Sequence, residues 1–482
     1  MLFNSVDFAV FLPLVFILYW TVFNRSIRLQ NGFLLVASMV FYGWWDWRYL
    51  GLVFFNAAID FFVGRRLQQS ENNRTRKAYL ALSMVANLGM LGFFKYYNFF
   101  VGSFNDAFTL LGQPLEMRTL SLVLPVGISF YTFQTMSYTI DIYRRQLSAT
   151  NDPISFAAYV LFFPQLVAGP IERATRFLPQ FFTARKFNID QARDGVRQIL
   201  WGLFKKVVIA DNCAEYVNIV YADPSAMSGA TLALGTLFFA FQIYGDFSGY
   251  SDIAIGSGRL LGFNLMRNFN YPYFARDIAE FWKRWHISLS TWFRDYLYIP
   301  LGGSRGSKAM FVRNSMIVFT VSGFWHGASW NFIIWGVLNG LYFIPIALFG
   351  DRKKNSKEIA VGKALPSLFE FRGMLTTFGL TCLAWVAFRA TDLSDTMTVY
   401  QKIFSPTLFE TPFMHSKKAI AICLLSVGVM FLLEWYNRNH QYGLEFNGRV
   451  KRPLRILVYY GVIALIVAFA PMSEGEFIYF QF

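Results

Sequence analysis

Charge is scarce in this 482-residue chain. Only 15% of its residues are Asp, Glu, Lys or Arg, against 55% apolar ones. A soluble domain carries about a quarter charged residues, so this balance excludes an ordinary water-borne domain and points to lipid as solvent. Cysteine is nearly absent as well. Cys213, Cys382 and Cys423 are odd in number and far apart, offering neither a disulfide framework nor a zinc site. The four histidines are scattered, without the His, Asp and Glu neighbours that a metal needs, so no metal site is expected. A fixed-period repeat is missing, and no linker is long enough to divide residues 1–482 into domains. The first apolar run, Phe8 to Phe23, lacks the basic leader of a signal peptide, since Asp7 precedes it and Arg25 follows it. It reads as a membrane helix that starts outside.

Aromatic residues are abundant at 19%, with 55 phenylalanines, which suits lipid-facing and headgroup-level surfaces. Apolar stretches long enough to span recur from end to end. The expected spans lie near 7–23, 31–45, 47–64, 78–96, 121–143, 196–221, 231–263, 311–326, 328–349, 373–390, 418–436 and 454–471. The stretch 154–170, broken by Pro164, Gly169 and Pro170, is expected to be re-entrant.

The net charge of +15 suggests no nucleic-acid partner, because the basic residues fall between apolar runs. With the N-terminus outside, the loops assigned to the cytoplasm hold 34 of the 44 Lys and Arg, and the opposite loops hold 6. That asymmetry follows the positive-inside rule. It predicts a cytoplasmic location for loops 65–77, 264–310 and 351–372. It also places both termini outside.

Two histidines fall in informative surroundings. Segment 277–303 is expected to be a helix. Asp277 and Glu280 resemble a capping box, and Pro300 with Gly302 and Gly303 ends it. Phe281, Trp285, Leu289, Trp292 and Phe293 then share one face as an interfacial anchor, while Lys283, Arg284 and Arg294 suit lipid headgroups or an anionic ligand. His286 is either a packing residue or a functional one. His326 lies where an apolar run meets Gly323, Gly327 and Ala328. Small residues there allow close approach of a backbone or ligand. An ionisable group within a span is a functional candidate by default, the alternative being a hydrogen bond to a neighbouring helix. His415 and His440 sit in loops, and a structural role is the expected reading for both.

Acyl transfer suits such a histidine. Phosphate-bearing donors such as acetyl-CoA are made inside and cannot cross lipid cheaply. Modifying something outside therefore requires one reactive centre reachable from both aqueous phases. An imidazole at mid-depth can take a hydroxyl proton near neutral pH, and a dry surround spares a thioester from water. No Gly-x-Ser-x-Gly motif flanks either histidine, which argues against a hydrolase triad.

The run Phe281-Trp-Lys-Arg-Trp-His286 through Gly303, followed by Phe324-Trp-His326-Gly, resembles the membrane-bound O-acyltransferase family. The segments Leu124–Gln134 and Phe163–Arg173 match the branch that acetylates bacterial envelope polysaccharides such as alginate. The likeness implies an all-α ring of about twelve transmembrane helices around a tunnel, with re-entrant and interfacial helices. It places catalytic His326 at the floor of an outward funnel and His286 nearer the cytoplasm. It implies a multi-pass protein of the bacterial inner membrane with no bound cofactor. Acetyl-CoA would be the cytoplasmic donor, a separate extracytoplasmic serine O-acetyltransferase the partner, and a polysaccharide the indirect acceptor.

The tail 472–482 ends in Phe477-Ile-Tyr-Phe-Gln-Phe482 and reads as an extracytoplasmic aromatic stub. It also resembles the C-terminal aromatic motif of envelope-acylation systems, which implies that Tyr479 carries the acyl group. Rival readings are D-alanyl transfer, peptidoglycan acetylation, or a transporter whose histidines relay protons. The absence of repeats and of paired broken helices speaks against the last.

Overall fold

A computed structural model describes residues 1–115, 117–167, 169–349, 358–446, 448, 450–470, 475 and 477–478. Among them there is helix and loop but no β-strand. The chain divides into two compact units. One comprises Met1–Gly195 with Ser257–Met266, the other Val196–Gly256 with Arg267–Phe482.

The first unit holds α1 (Val6–Thr21), α2 (Ile27–Asp46), α3 (Leu50–Gln69), α4 (Asn73–Leu91), α5 (Tyr97–Leu110), α6 (Ile128–Tyr143), α7 (Pro153–Leu161), α8 (Phe163–Leu166) and α9 (Ala174–Phe177). Ser5 and Ser26 cap α1 and α2 by accepting from Phe8 and Leu29 N–H, so these helices begin where hydroxyls precede apolar runs. Two span boundaries differ from expectation. A π turn at Gly92–Tyr96 joins α4 to α5, carrying the helical rod to Leu110 rather than ending it near 96. Conversely, the span expected from 121 begins only at Ile128. Pro125 precedes it, and Gly127 is left-handed at φ 74°, with a Cβ there falling 2.6 Å from the Leu166 carbonyl oxygen. The helix broken at Phe162 between α7 and α8 matches the interruption expected within 154–170. Asn31 ties α2 to α7 by donating to Ser155 Oγ, and to the turn Leu178–Phe181 by donating to Phe181 O, each at 2.8 Å. Asp60 is buried among α3, α4 and α6, accepting from Ser83 Oγ at 2.5 Å and Asn87 Nδ2 at 2.9 Å.

α10 (Ile189–Leu203) opens in the first unit and runs into the second, and α12 (Gly229–Leu260) ends in the first. The second unit also holds α11 (Asp211–Ala222), α13 (Ile278–Arg284), α14 (Ile287–Phe293), α15 (Lys308–His326), α16 (Trp330–Phe349), α17 (Leu368–Arg389), α18 (Leu393–Ile403), α19 (Lys417–Tyr436) and α20 (Arg452–Phe469). A π segment, Phe204–Ala210, joins α10 to α11. α15 and α16 form a tight hairpin in which glycines replace side chains at the contact. A Cβ on Gly323 would sit 2.1 Å from the Phe332 carbonyl oxygen, and one on Gly336 2.3 Å from that of Phe319. Cys213 and Cys423, distant in sequence, meet as buried free thiols with sulfurs 3.1 Å apart.

Among the described residues, five helical rods are long and apolar enough to cross a membrane: Asn73–Leu110, Gly229–Leu260, Leu368–Arg389, Lys417–Tyr436 and Arg452–Phe469. Each of the other expected spans also carries helix, but shorter or with more polar residues, as where Lys308, Arg313 and Asn314 open α15.

Candidate active site

The single helix expected over 277–303 is two helices. α13 ends at Arg284, Trp285 is extended, and His286 adopts a left-handed conformation at φ 42°, ψ 54° before α14 starts at Ile287. The proposed single apolar face is therefore interrupted at its centre. The start is as expected only in part. Asp277 accepts from Glu280 N–H at 2.7 Å, but Glu280 reaches back to Arg276 N–H at 2.9 Å instead of completing a box with Asp277. Glu280 is clamped between Arg276 at 3.0 Å and Arg284 at 2.8 Å, and Arg276 also bonds Glu370 at 3.1 Å. Burial pushes the Glu280 carboxyl upward, yet the hydrogen bond from Arg276 and the charge of Arg284 outweigh it and hold it below the usual range.

Asn268 holds the break. Its backbone carbonyl accepts from Ile287 N–H at 2.8 Å, and its Oδ1 accepts from Ser288 N–H at 3.3 Å and Ser288 Oγ at 2.9 Å. Asn268 Nδ2 donates to Ser251 Oγ on α12 at 3.0 Å. The same Oδ1 lies 3.1 Å from His286 Nδ1. An oxygen that accepts from a backbone N–H must accept here too, so Nδ1 carries the proton and Nε2 is the basic nitrogen. His286 is 0% exposed and lies outside the long apolar rods, and burial pushes its pKa down to about 3. At neutral pH the ring is uncharged.

His326 is the last residue of α15, and the backbone turns extended at Gly327. A Cβ on Gly327 would fall 2.1 Å from the Phe332 ring, so the glycine expected to permit close approach does so. His326 is 4% exposed. Trp325 and Trp335 lie edge-on to it, each with ring centres 5.0 Å away, and Phe388 at 5.5 Å. The His286 ring is 6.4 Å from that of His326 and 4.6 Å from that of Phe247. The fold thus brings the two histidines into one aromatic box within the second unit. Burial among these rings keeps both imidazoles away from bulk solvent.

His415 and His440 lie apart from this box, beside Glu215 at 3.6 Å and Glu445 at 3.7 Å. Tyr479 lies outside the described residues. Gly302-Gly303-Ser304-Arg305-Gly306 spells a Gly-x-Ser-x-Gly pattern that the sequence reading passed over. It lies in a turn before α15, with Ser304 exposed, not on a strand-to-helix elbow. The sequence reading also missed Asn268, which no local pattern marks. Lys205, Lys206, Asp246, Asp252 and Glu434 are ionisable, buried and inside expected spans, the same signal that singled out His326.

The membrane-bound O-acyltransferase family model matches residues 143–350, a segment that includes both histidines. The chain is 41% identical over 406 residues to a Pseudomonas aeruginosa protein named "Probable alginate O-acetylase AlgI", covering 83% of this chain and 74% of that one. The chain belongs to the membrane-bound O-acyltransferase family. It is 32% identical over 532 residues to the peptidoglycan O-acetyltransferase of Helicobacter pylori, covering 100% of this chain and 98% of that one. A teichoic acid D-alanyltransferase of Streptococcus thermophilus is 28% identical over 298 residues, 57% of this chain and 71% of that one. As a member of this family with apolar helices of spanning length, the chain is an integral membrane O-acyltransferase. That excludes the transporter reading as its primary activity.

Proposed function

We propose that this acyltransferase moves acetyl groups from cytoplasmic acetyl-CoA across the bacterial inner membrane, for O-acetylation of an extracytoplasmic polysaccharide such as alginate. The observation that carries the reading is the pair of buried histidines, 6.4 Å apart in an aromatic box. The names of the relatives support an envelope polymer as final acceptor. In this reading the whole chain is one membrane domain, a ring of about twelve helices around a tunnel, with both termini outside.

His326 acts as general base on the Tyr479 phenol, whose ordinary pKa near 10 leaves it a weak nucleophile at neutral pH. The phenol oxygen forms a bond to the acetyl carbonyl carbon, the carbon–sulfur bond breaks, and the phenol proton passes through His326 to the leaving thiolate, giving CoA-SH. His286, neutral and fixed in one tautomer, orients the donor. The aryl ester then passes its acetyl group to the serine of an extracytoplasmic O-acetyltransferase, and the serine proton returns to the tyrosine. CoA never leaves the cytoplasmic side.

Purified protein incubated with radiolabelled acetyl-CoA is expected to retain acid-stable label, and Tyr479→Phe to lose it while the protein still accumulates. Tyr479→Phe keeps the ring and removes only the hydroxyl. Label retained in full by that variant removes the acyl-tyrosine step. Polymer analysis of a deletion strain separates alginate-type acetylation from the peptidoglycan and D-alanyl alternatives, since only the true acceptor loses its ester.

A further inference from the structure

We propose that Lys206, Asp246 and Asp211 form a dock for Gly475, Phe477 and Ile478, the described residues of a C-terminal strap, and that a seated strap is a condition for acyl transfer. The inference rests on the reading that Tyr479 carries the acyl group, and it adds the residues that position that tail.

The dock begins with the π segment Phe204–Ala210. Lys205 and Lys206 both lie buried within this segment, a kind of irregularity frequent at functional sites. Lys205 is taken up by Asp252 at 2.6 Å and Ser248 at 2.8 Å. Lys206 bridges two carboxylates, Asp211 at 2.6 Å and Asp246 at 2.9 Å. One ammonium is shared between two buried carboxyl groups, whose remaining oxygens call for further donors.

The strap supplies one of those donors. Ile478 N–H donates to Asp246 Oδ2 at 2.6 Å, a charge-assisted bond. On the other carboxylate, Gly475 lies so close that a Cβ would fall 2.4 Å from Asp211 Oδ1. Glycine is what lets the strap approach. Between these two points the Phe477 ring packs on Tyr250 at 4.3 Å and Phe247 at 5.9 Å. Phe477 is 0% exposed and Ile478 2%.

The direction of the strap links it to the reaction. Phe247, which receives Phe477, is the ring lying 4.6 Å edge-on to His286. One aromatic ring therefore separates the seated strap from the histidine box. Tyr479 follows Ile478 directly in the sequence. Consecutive Cα atoms are about 3.8 Å apart, so anchoring residue 478 restricts where the next phenol can reach. Lys206 and Asp246 act as positioning residues and touch no reacting atom in this scheme.

The test uses the full-length protein in lipid nanodiscs, with hydrogen exchange of the C-terminal peptide and acyl transfer measured on the same samples. Asp246→Ala is expected to speed exchange of the Phe477 and Ile478 amides at least tenfold and to slow transfer at least tenfold. Asp246→Asn keeps an oxygen acceptor and should recover a large part of both. Gly475→Val displaces the strap without removing a buried charge, so it should reproduce the Asp246→Ala result even if that variant folds poorly. His326→Ala should leave the strap protected. C-terminal exchange at the wild-type rate in Asp246→Ala and Gly475→Val overturns the dock. Faster exchange with transfer unchanged overturns its role in the reaction. Full transfer by Tyr479→Phe removes the carrier step instead, and the dock is then judged on the two dock variants alone.

Discussion

Left-handed backbone at a non-glycine residue costs on the order of 1–3 kcal/mol, and His286 bears it where Asn268 accepts hydrogen bonds from His286 itself and from Ile287 and Ser288 just beyond it. Replacing Asn268 with Leu would strand those buried donors. The expected loss is about 1–3 kcal/mol of stability together with at least a tenfold fall in transfer, read by thermal unfolding in detergent and by the acetylation assay. Wild-type values in both would mean that Asn268 does not hold the site. His326→Ala should slow transfer by about 10²–10⁴, the usual cost of losing a positioned general base, while the protein still accumulates in the membrane. Failure to accumulate would mark the residue as structural. His286 also predicts a pH effect. Its folded pKa of about 3 lies below the ordinary value of 6.5, so the unfolded chain binds the proton first as pH falls. Stability from its burial is complete above pH ~6.5 and declines below it by about 1.4 kcal/mol per pH unit until the folded pKa is reached. Melting temperature measured from pH 7 to pH 5 should fall less steeply in His286→Gln than in wild type.

At the scale of elements, the α15–α16 hairpin sets the position of His326. Gly323 and Gly336 face the partner backbone so closely that any Cβ requires the two helices to separate. Overpacking typically costs about 1–3 kcal/mol, and here the displaced atoms are carbonyls, which cannot rotate away. Gly336→Leu should therefore lower the melting temperature and cut transfer at least tenfold, although residue 336 bears no reactive group. Unchanged transfer would show that hairpin spacing does not set the histidine. α13 and α14 carry the complementary lesson. Their apolar spacing suggests one amphipathic helix, yet Trp285 packs against Phe269, Trp385 and Tyr244, at 5.0, 5.1 and 6.2 Å. Those contacts join groups far apart in sequence, and they are satisfied with the helix broken.

For the whole molecule, the charge asymmetry predicts which loops meet which aqueous phase. Single cysteines replacing Arg305 and Lys363 should resist a membrane-impermeant maleimide on intact spheroplasts and label once the membrane is opened. A cysteine replacing Glu410 should label from outside. Strong external labelling at position 363 would reverse the layout and move the donor to the wrong side.

Residue order alone marks this chain as a membrane protein, locates most of its helices, and singles out His286 and His326 as candidate chemical groups. Hydropathy, charge bias and ionisable residues in apolar runs are local signals, and lipid makes them strong because it cannot solvate charge or backbone. The helix break at His286 beside Asn268, and the aromatic box that the two rings share, emerge only on folding. The same holds for the meeting of Cys213 with Cys423 and for the bond from Ile478 N–H to Asp246. Each of those depends on groups tens to hundreds of residues apart. Their partners are chosen by packing and by the need to satisfy buried polar atoms, and neither leaves a mark at fixed spacing in the chain.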